Sequence, residues 1–236
     1  MSNYQTPPWI SASTDVMREQ ERAFIRSVYG WMFGGLLLTA FSSLWVVMSP
    51  ALQQIVIGNG IARFVLFIAE IGIVFYLSAA LRRMSAAAAA IAFLAFSVLN
   101  GLSLSIIFFA YTADSLVQAF VVAAGMFGAM AVFGLVTKRD LTSWGSFFFM
   151  GLIGIVLASL VNMFLHSEAL GWITSVIGVF VFVGLTAYDN QRLKVFASNA
   201  GSLRDNYAVF GALQLYLDFV NLFLMLLRIF GGGRRR

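Results

Sequence analysis

The 236-residue sequence has no cysteine, one histidine and three prolines, and only 11% of its residues are charged. Without cysteine, the chain cannot form a disulfide framework, a thiolate nucleophile or a cysteine-ligated zinc or iron–sulfur site. A single histidine also leaves too few ligands for a histidine-based zinc or haem site. We therefore expect no metalloenzyme and no bound cofactor.

Apolar residues are abundant instead: 61% of the chain is hydrophobic, against about half in soluble domains, and the mean hydropathy is +0.90. Apolar runs of about 20 residues, each long enough to cross a bilayer as a helix, recur between short polar breaks. The sequence predicts an all-α membrane protein with seven transmembrane helices. The predicted spans are residues 25–48, 57–81, 87–111, 115–137, 145–166, 170–190 and 206–230.

The predicted organisation is a polar N-terminal tail (1–22), a transmembrane domain (23–231) and a basic C-terminal tail (232–236). The N-terminal tail lacks the basic-then-apolar order of a cleavable signal peptide, so we expect it to be retained. Small residues in the spans should let neighbouring helices approach closely. The clearest examples are Ala124, Gly128 and Gly154.

Basic residues in the short loops predict the orientation of the chain. Most lie on one side: Arg18, Arg22, Arg26, Arg82, Arg83, Lys138, Arg139, Arg192, Lys194 and Arg204. That side should be cytoplasmic, which places the N-terminus on the cytoplasmic side of the membrane. Because these residues flank apolar runs and form no patch, we expect no nucleic acid partner despite a pI near 9.9. An odd number of spans would place Arg228 outside, whereas a re-entrant last helix would return it to the cytoplasm.

One acidic residue, Asp218, falls near the middle of the last predicted span. A charge at that depth costs about 3 kcal/mol, so its carboxyl needs a partner or water. Gln214 and Asn221 lie on the same helical face, and Gly211 continues that face. We expect this polar stripe to face the bundle interior, either along an ion path or as a carboxylate bonded to neighbouring helices.

A second acidic residue, Asp189, ends the sixth predicted span, with Thr186 on the same face. A lone aspartate at a helix end is commonly an interfacial solvated charge, and this alternative stays open. If Asp189 meets Asp218, the two carboxyls cannot both ionise cheaply. The pair would then share one proton, titrate as a unit and act as a proton-sensitive latch.

Glu70 lies inside the second span, about 10.5 Å along the helix axis from Arg63, which is too far for a direct ion pair. We assign Glu70 to the polar lining of the path, and the alternative is a carboxyl that stays protonated or reaches interfacial water. Two i, i+3 pairs of polar residues predict interhelical hydrogen bonds worth about 1 kcal/mol each, with pore lining as the alternative. They are Ser97 with Asn100 and Ser159 with Asn162.

One enzyme class can be tested directly, because the segment from Gly101 to Leu104 superficially resembles the serine motif of rhomboid-type intramembrane proteases. Such proteases pair that serine with a histidine. The one histidine here, His166, falls at a predicted helix end, where it cannot activate Ser103. We therefore expect no enzyme.

Four segments carry a family signature. They are Val28–Met32, Gly128–Asp140 (ending in Thr-Lys-Arg-Asp), Gly184–Gln191 and Leu215–Gly231. Together they resemble the Bax inhibitor family of transmembrane proteins, over nearly the whole chain after the N-terminal tail. The most specific part is Leu-Tyr-Leu-Asp-Phe-Val-Asn-Leu-Phe, which begins at Leu215. The chain looks like a bacterial member, which we expect in the inner membrane.

The resemblance implies a seven-helix fold with the last helix central. It also implies a calcium leak governed by protonation of two aspartates, whose positions match Asp189 and Asp218. Leak-competent members carry an arginine near the cytoplasmic end of the second helix that closes onto the aspartates. Arg82 or Arg83 would serve as that latch partner here.

The leading hypothesis is a pH-gated, passive cation pathway in the bilayer, in which calcium is the permeant ion. Carboxylate and amide oxygens of Asp189, Asp218, Gln214 and Asn221 would offer the ligands that calcium prefers. The alternative is a non-transporting regulator of a quality-control membrane protease, or of a stress or cell-death pathway, which docks through residues 1–22. Secondary transport is a weaker third option, because no inverted repeat is visible.

Overall fold

The computed structural model describes residues 8–199 and 201–231, with side chains from residue 16 onward. Within these ranges every regular element is helical. The helices are α1 (Pro8–Met48), α2 (Pro50–Val56), α3 (Gly60–Ala80), α4 (Ala86–Leu104), α5 (Ile107–Ala110), α6 (Ala113–Val136), α7 (Thr142–Leu165), α8 (Glu168–Asn199) and α9 (Arg204–Phe230). A 3₁₀ turn, Gly201–Leu203, precedes α9.

Seven segments of the described chain are long and apolar enough to cross a membrane, which confirms the predicted all-α, multi-pass architecture. The predicted ends of the middle spans agree with the structure within a few residues. The exception is α8, which continues to Asn199 rather than ending at 190. Its 32 residues extend about 48 Å, so its last turns lie beyond an apolar layer of about 30 Å.

The predicted terminal tails have different outcomes. Residues 8–22 are helical and continue directly into the first span as part of α1, so this stretch is not a separate extended segment. Residues 1–7 of the N-terminal tail and the predicted C-terminal tail, 232–236, lie outside the described residues.

The last helix, α9, forms the centre of the bundle, as the family resemblance implied. It packs against α1, α4, α6 and α8, and most of its side chains are buried. Tyr216, Leu215 and Leu222 are fully buried. Because van der Waals packing and interhelical hydrogen bonds drive helix association in a bilayer, the contacts of α9 with four neighbours hold the bundle together.

A re-entrant last helix is wrong, because α9 runs through the whole bundle without a break. At its start, the Arg204 guanidinium donates a hydrogen bond to the Gln20 carbonyl of α1. Just beyond the C-terminal end of α9, Gly231 packs against the ring of Tyr111, at the end of the bundle opposite to Gln20. The start of α1 and the end of α9 therefore lie at opposite ends of the bundle.

We call the end that holds Arg82, Lys138, Arg192 and Arg204 the basic end. Hydrogen bonds join its loops. The Asn206 amide of α9 donates to the Leu81 and Met84 carbonyls, at 3.0 and 2.8 Å, and so fixes the turn between α3 and α4. The Gln191 side chain of α8 likewise accepts from the Leu141 N–H at 2.8 Å and donates to the Arg139 carbonyl at 2.7 Å.

Two spans lie at the periphery. The first, α7, packs chiefly against α8, and the second, α3, packs chiefly against α4. Aromatic rings fill the space beside glycines at the α7–α8 interface: the Tyr188 ring lies against Gly145, and the Phe148 ring lies against Gly184.

Close helix approach occurs at other small residues than those predicted. A methyl group built on Gly128 or Gly154 would meet no atom within 4 Å, so the predicted close contacts at these two glycines are wrong. At Gly134 of α6, by contrast, the added methyl group would collide with the backbone carbonyl of Ala187 on α8. The sequence shows which residues are small, but it does not show which face of a helix meets a neighbouring helix.

Candidate functional site

The structure brings Asp189 of α8 and Asp218 of α9 together. Both residues are buried, and a side-chain hydrogen bond joins their carboxyl groups. Among the described residues, no N–H or hydroxyl donates to the buried Oδ2 of Asp218. Two carboxyl groups can hydrogen-bond to each other only when at least one of them is protonated, so a proton held between them would satisfy this contact.

The pair lies on the wall of a cavity of about 610 Å³ between α7, α8 and α9. Gln214 and Asn221 line the same cavity, so the polar stripe of α9 faces a space large enough for water or ions. The Asn221 amide nitrogen donates to the Leu217 carbonyl of its own helix at 2.8 Å. That bond uses one of the two N–H donors of Asn221 and leaves its Oδ1 as an acceptor.

The cation facing Asp189 is Arg192, three residues later on the same helix. Arg192 also lines the cavity, and its guanidinium lies 5.0 Å from the centre of the Phe196 ring. Sequence reasoning did not single out Arg192, although its i, i+3 spacing from Asp189 places both side chains on one face.

The predicted latch arginines lie in a neighbouring pocket at the basic end. Arg82 and Arg83 follow the end of α3 and form no ion pair with either aspartate in the described part of the chain. Arg192 lines both this pocket and the aspartate cavity. The contact of Arg82 or Arg83 with the aspartates is therefore absent from this structure, because the turn that carries them is held by Asn206.

Glu70 belongs to a different network from the polar stripe with which it was grouped. The Ser103 hydroxyl donates to Glu70 Oε1, and the Asn100 amide donates to Oε2 at 3.1 Å. Tyr216 of α9 then donates to Asn100 Oδ1 at 2.9 Å, and its hydroxyl lies 2.6 Å from Thr39 Oγ1 of α1. The network connects α3, α4, α9 and α1, and Glu70 does not line the aspartate cavity.

Of the two predicted polar pairs, Asn100 uses its side chain to bond other helices, whereas Ser97 uses its backbone carbonyl, which accepts from Thr39 Oγ1 at 2.8 Å. Ser97 donates within its own helix, to the Phe93 carbonyl at 2.9 Å. The Asn162 side chain accepts from the Ser167 N–H at 2.9 Å and so caps the turn between α7 and α8. Asn162 also lies against Gly171 of α8, and with Ser159 it lines a pocket of about 400 Å³ near the ends of α7 and α9.

Calcium prefers six to eight oxygen ligands. The cavity lining carries oxygens on two carboxyl groups (Asp189 and Asp218), two amides (Gln214 and Asn221) and two hydroxyls (Ser146 and Tyr188). No cluster of three or more acidic or histidine residues occurs in the described chain. The lining therefore offers oxygen contacts to a cation but not the acidic cluster of a closed metal site.

Comparison with known proteins gives a consistent family match. A model described as "Inhibitor of apoptosis-promoting Bax1" matches residues 21–235. The chain is 51% identical over 218 residues to the inner membrane protein YbhL of Escherichia coli K12, with 90% of this chain and 93% of that protein covered. It is also 37% identical over 236 residues to the uncharacterized protein RP147 of Rickettsia prowazekii, with 99% and 100% covered.

Proposed function

We propose that this chain, which belongs to the Bax inhibitor family of transmembrane proteins, conducts cations passively across the membrane and that a shared proton controls the pathway. The observation that carries the proposal is the contact between the Asp189 and Asp218 carboxyls on the wall of the cavity that Gln214 and Asn221 also line. Calcium is the proposed permeant ion, because the cavity presents carboxylate and amide oxygens.

The shared proton makes the α8–α9 contact depend on pH. If the proton leaves, two like charges face each other in a medium of low dielectric constant and repel strongly. If a second proton binds, the pair loses its negative charge and its attraction to Arg192. Either change disrupts the arrangement seen here, so this arrangement is proposed to be the closed state over the pH range in which the pair holds one proton.

Few other groups contribute to this titration. On α8, Arg192 and Tyr188 face the cavity, and the α7 and α9 walls supply no titratable group beyond Asp218. On the opposite side of α8, Tyr29 of α1 bonds to Asn190, and Gly134 of α6 lies against Ala187. The aspartates and Arg192 therefore carry the proposed pH response.

The test is calcium flux into dye-loaded liposomes that contain the purified chain, measured between about pH 5 and 8. We expect wild-type flux to vary with pH and to be lowest where the pair holds one proton. Asp218→Asn keeps the side-chain shape but removes the ionisable proton, so its flux should not respond to pH.

The matched control is Asp114→Asn, which removes an exposed carboxylate in the first turn of α6, away from the cavity. This variant should keep the wild-type pH profile. Flux no greater than that of empty liposomes at every pH would overturn the proposal and favour the non-transporting regulator. An equal loss of pH dependence in both variants would show that the response does not come from the aspartate pair.

A further inference from the structure

A second pocket, separate from the aspartate pair, opens at the basic end of the bundle. Its volume is about 610 Å³, and residues from the end of α3, the last turns of α8 and the start of α9 form its walls. Three arginines line it: Arg82, Arg83 and Arg192. No carboxylate lines it among the described residues, so Arg82 and Arg83 have no counter-charge on its walls, while Arg192 also faces Asp189 beyond them.

Hydrogen bonds and ring contacts hold the walls in place. Asn206 fixes the turn that carries Arg82 and Arg83. On the opposite wall, the Phe196 ring packs 5.2 Å from the Tyr207 ring, and Arg192 lies over Phe196. The guanidinium groups thus converge on one space without a large rearrangement of the backbone.

The chemistry of these walls matches a phosphate group. Arginine presents several N–H donors in a planar fork that fits phosphate oxygens, and a site at the boundary of an apolar layer strengthens such charge-assisted bonds. Basic pockets between transmembrane helices are suited to anionic lipid headgroups. Aromatic side chains at the same level, Phe196, Tyr207 and Phe210, suit the glycerol and upper acyl region of a lipid.

The geometry points to a binding site for the phosphate headgroup of an anionic phospholipid in this pocket. The occupant is a lipid rather than free phosphate because the pocket combines three cations with an apolar, aromatic wall beside the peripheral helix α3. Binding does not depend on ion conduction, so it is measured separately from flux.

The test titrates the full chain, in an uncharged detergent, with dioctanoyl phosphatidylglycerol, dioctanoyl phosphatidylcholine or inorganic phosphate. A ligand that binds only the folded state raises the unfolding temperature, which tryptophan fluorescence can follow. Phosphatidylglycerol should raise it saturably, whereas phosphatidylcholine and inorganic phosphate should not at equal concentration. An equal rise with inorganic phosphate would overturn the assignment of a lipid. An equal rise with phosphatidylcholine would overturn the preference for an anionic headgroup.

The informative variant is R82Q/R83Q, because it removes two pocket charges and leaves Arg192 beside Asp189. Its affinity for phosphatidylglycerol should fall by about tenfold or more. The matched control is K138Q/R139Q, which removes two exposed charges from the same end but none from the pocket. An equal loss of affinity in the control would overturn the site and show that the lipid is attracted by the overall positive charge of this end. If the double variant does not fold, R82Q and R83Q are tested singly, and wild-type affinity in both would overturn it as well.

Discussion

Tyr29 of α1 donates a 2.5 Å hydrogen bond to Oδ1 of Asn190, the residue that follows Asp189 on α8. Asn190 is fully buried, and its amide nitrogen donates to the Thr186 carbonyl of its own helix at 2.7 Å. The two bonds fix the side chain next to Asp189 from both sides. The contact therefore attaches the first span to the helix that carries the aspartate.

Replacing Tyr29 with phenylalanine should destabilise the fold, because the buried Asn190 oxygen then loses its donor. We expect the free energy of unfolding to fall by about 1–3 kcal/mol. Thermal or denaturant unfolding in micelles measures the change. Tyr76→Phe is the control, since Tyr76 is 53% exposed, and its stability should match the wild type. Equal stability of Tyr29→Phe and wild type would contradict the role assigned to this bond.

Glycine positions in α6 should respond oppositely to substitution by alanine. At Gly134 the new methyl group meets the Ala187 backbone, so we expect a loss of about 1–3 kcal/mol in unfolding free energy. At Gly128 the methyl group meets nothing, and the better helix propensity of alanine should stabilise by up to about 1 kcal/mol. Unfolding of the two variants side by side measures the difference, and a similar effect at both positions would show that α6 and α8 do not approach at Gly134.

The Glu70 network should show energetic coupling between Asn100 and Tyr216. Asn100→Ala removes the donor to Glu70 Oε2. It also removes the acceptor for the hydroxyl of the fully buried Tyr216. We expect each single change, Asn100→Ala or Tyr216→Phe, to destabilise the fold. In a double-mutant cycle the two effects should be less than additive by about 1 kcal/mol. Strict additivity would show that the 2.9 Å contact contributes no coupling.

The stability of the first turn of α7 should depend on pH through Asp140, which lies in the loop before that helix. Its Oδ1 accepts from the Thr142 hydroxyl at 2.6 Å and from the Thr142 N–H at 2.9 Å. The side-chain bond first, and then the backbone bond, hold the pKa of Asp140 below its ordinary value of 3.8. The ionised carboxylate is therefore the form that stabilises this turn.

The stabilisation is fully present above pH 3.8 and is lost as the pH falls through the lowered pKa. Asp140→Ala should speed hydrogen exchange at the Thr142 amide near neutral pH. The difference from wild type should be smaller at a pH below the lowered pKa, where the wild-type carboxyl is protonated in the folded state as well. A difference of the same size at both values of pH would mean that the charge of Asp140 is not its cause.

The sequence predicts the polar stripe of α9 well, because a charged residue amid apolar ones stands out and helical spacing fixes its face. Gln214, Asp218 and Asn221 do share one cavity. The meeting of Asp218 with Asp189 is a tertiary contact, and only the family resemblance indicated it before the structure. Helix periodicity orders residues within one span but carries no information on which spans are neighbours.

Other features left no usable local signal. Glu70 finds its partners 30 and 33 residues later in the chain, on α4. Neither proline nor glycine stands between the end of α4 at Leu104 and the start of α5 at Ile107. The Ser105 hydroxyl donates instead to the Leu102 carbonyl at this break. Arg192 resembles any interfacial cation in sequence, and only the length of α8 shows that it lies beside the aspartates.

The peripheral position of α7 determines how the aspartate cavity is enclosed. Because α7 packs chiefly against α8, its displacement separates one pair of helices and leaves the packing of α9 against α1, α4 and α6 unchanged. The wall of the cavity and the core of the protein are thus mechanically distinct. The space around the aspartates can change shape while the hydrophobic core that sets the stability of the fold stays intact.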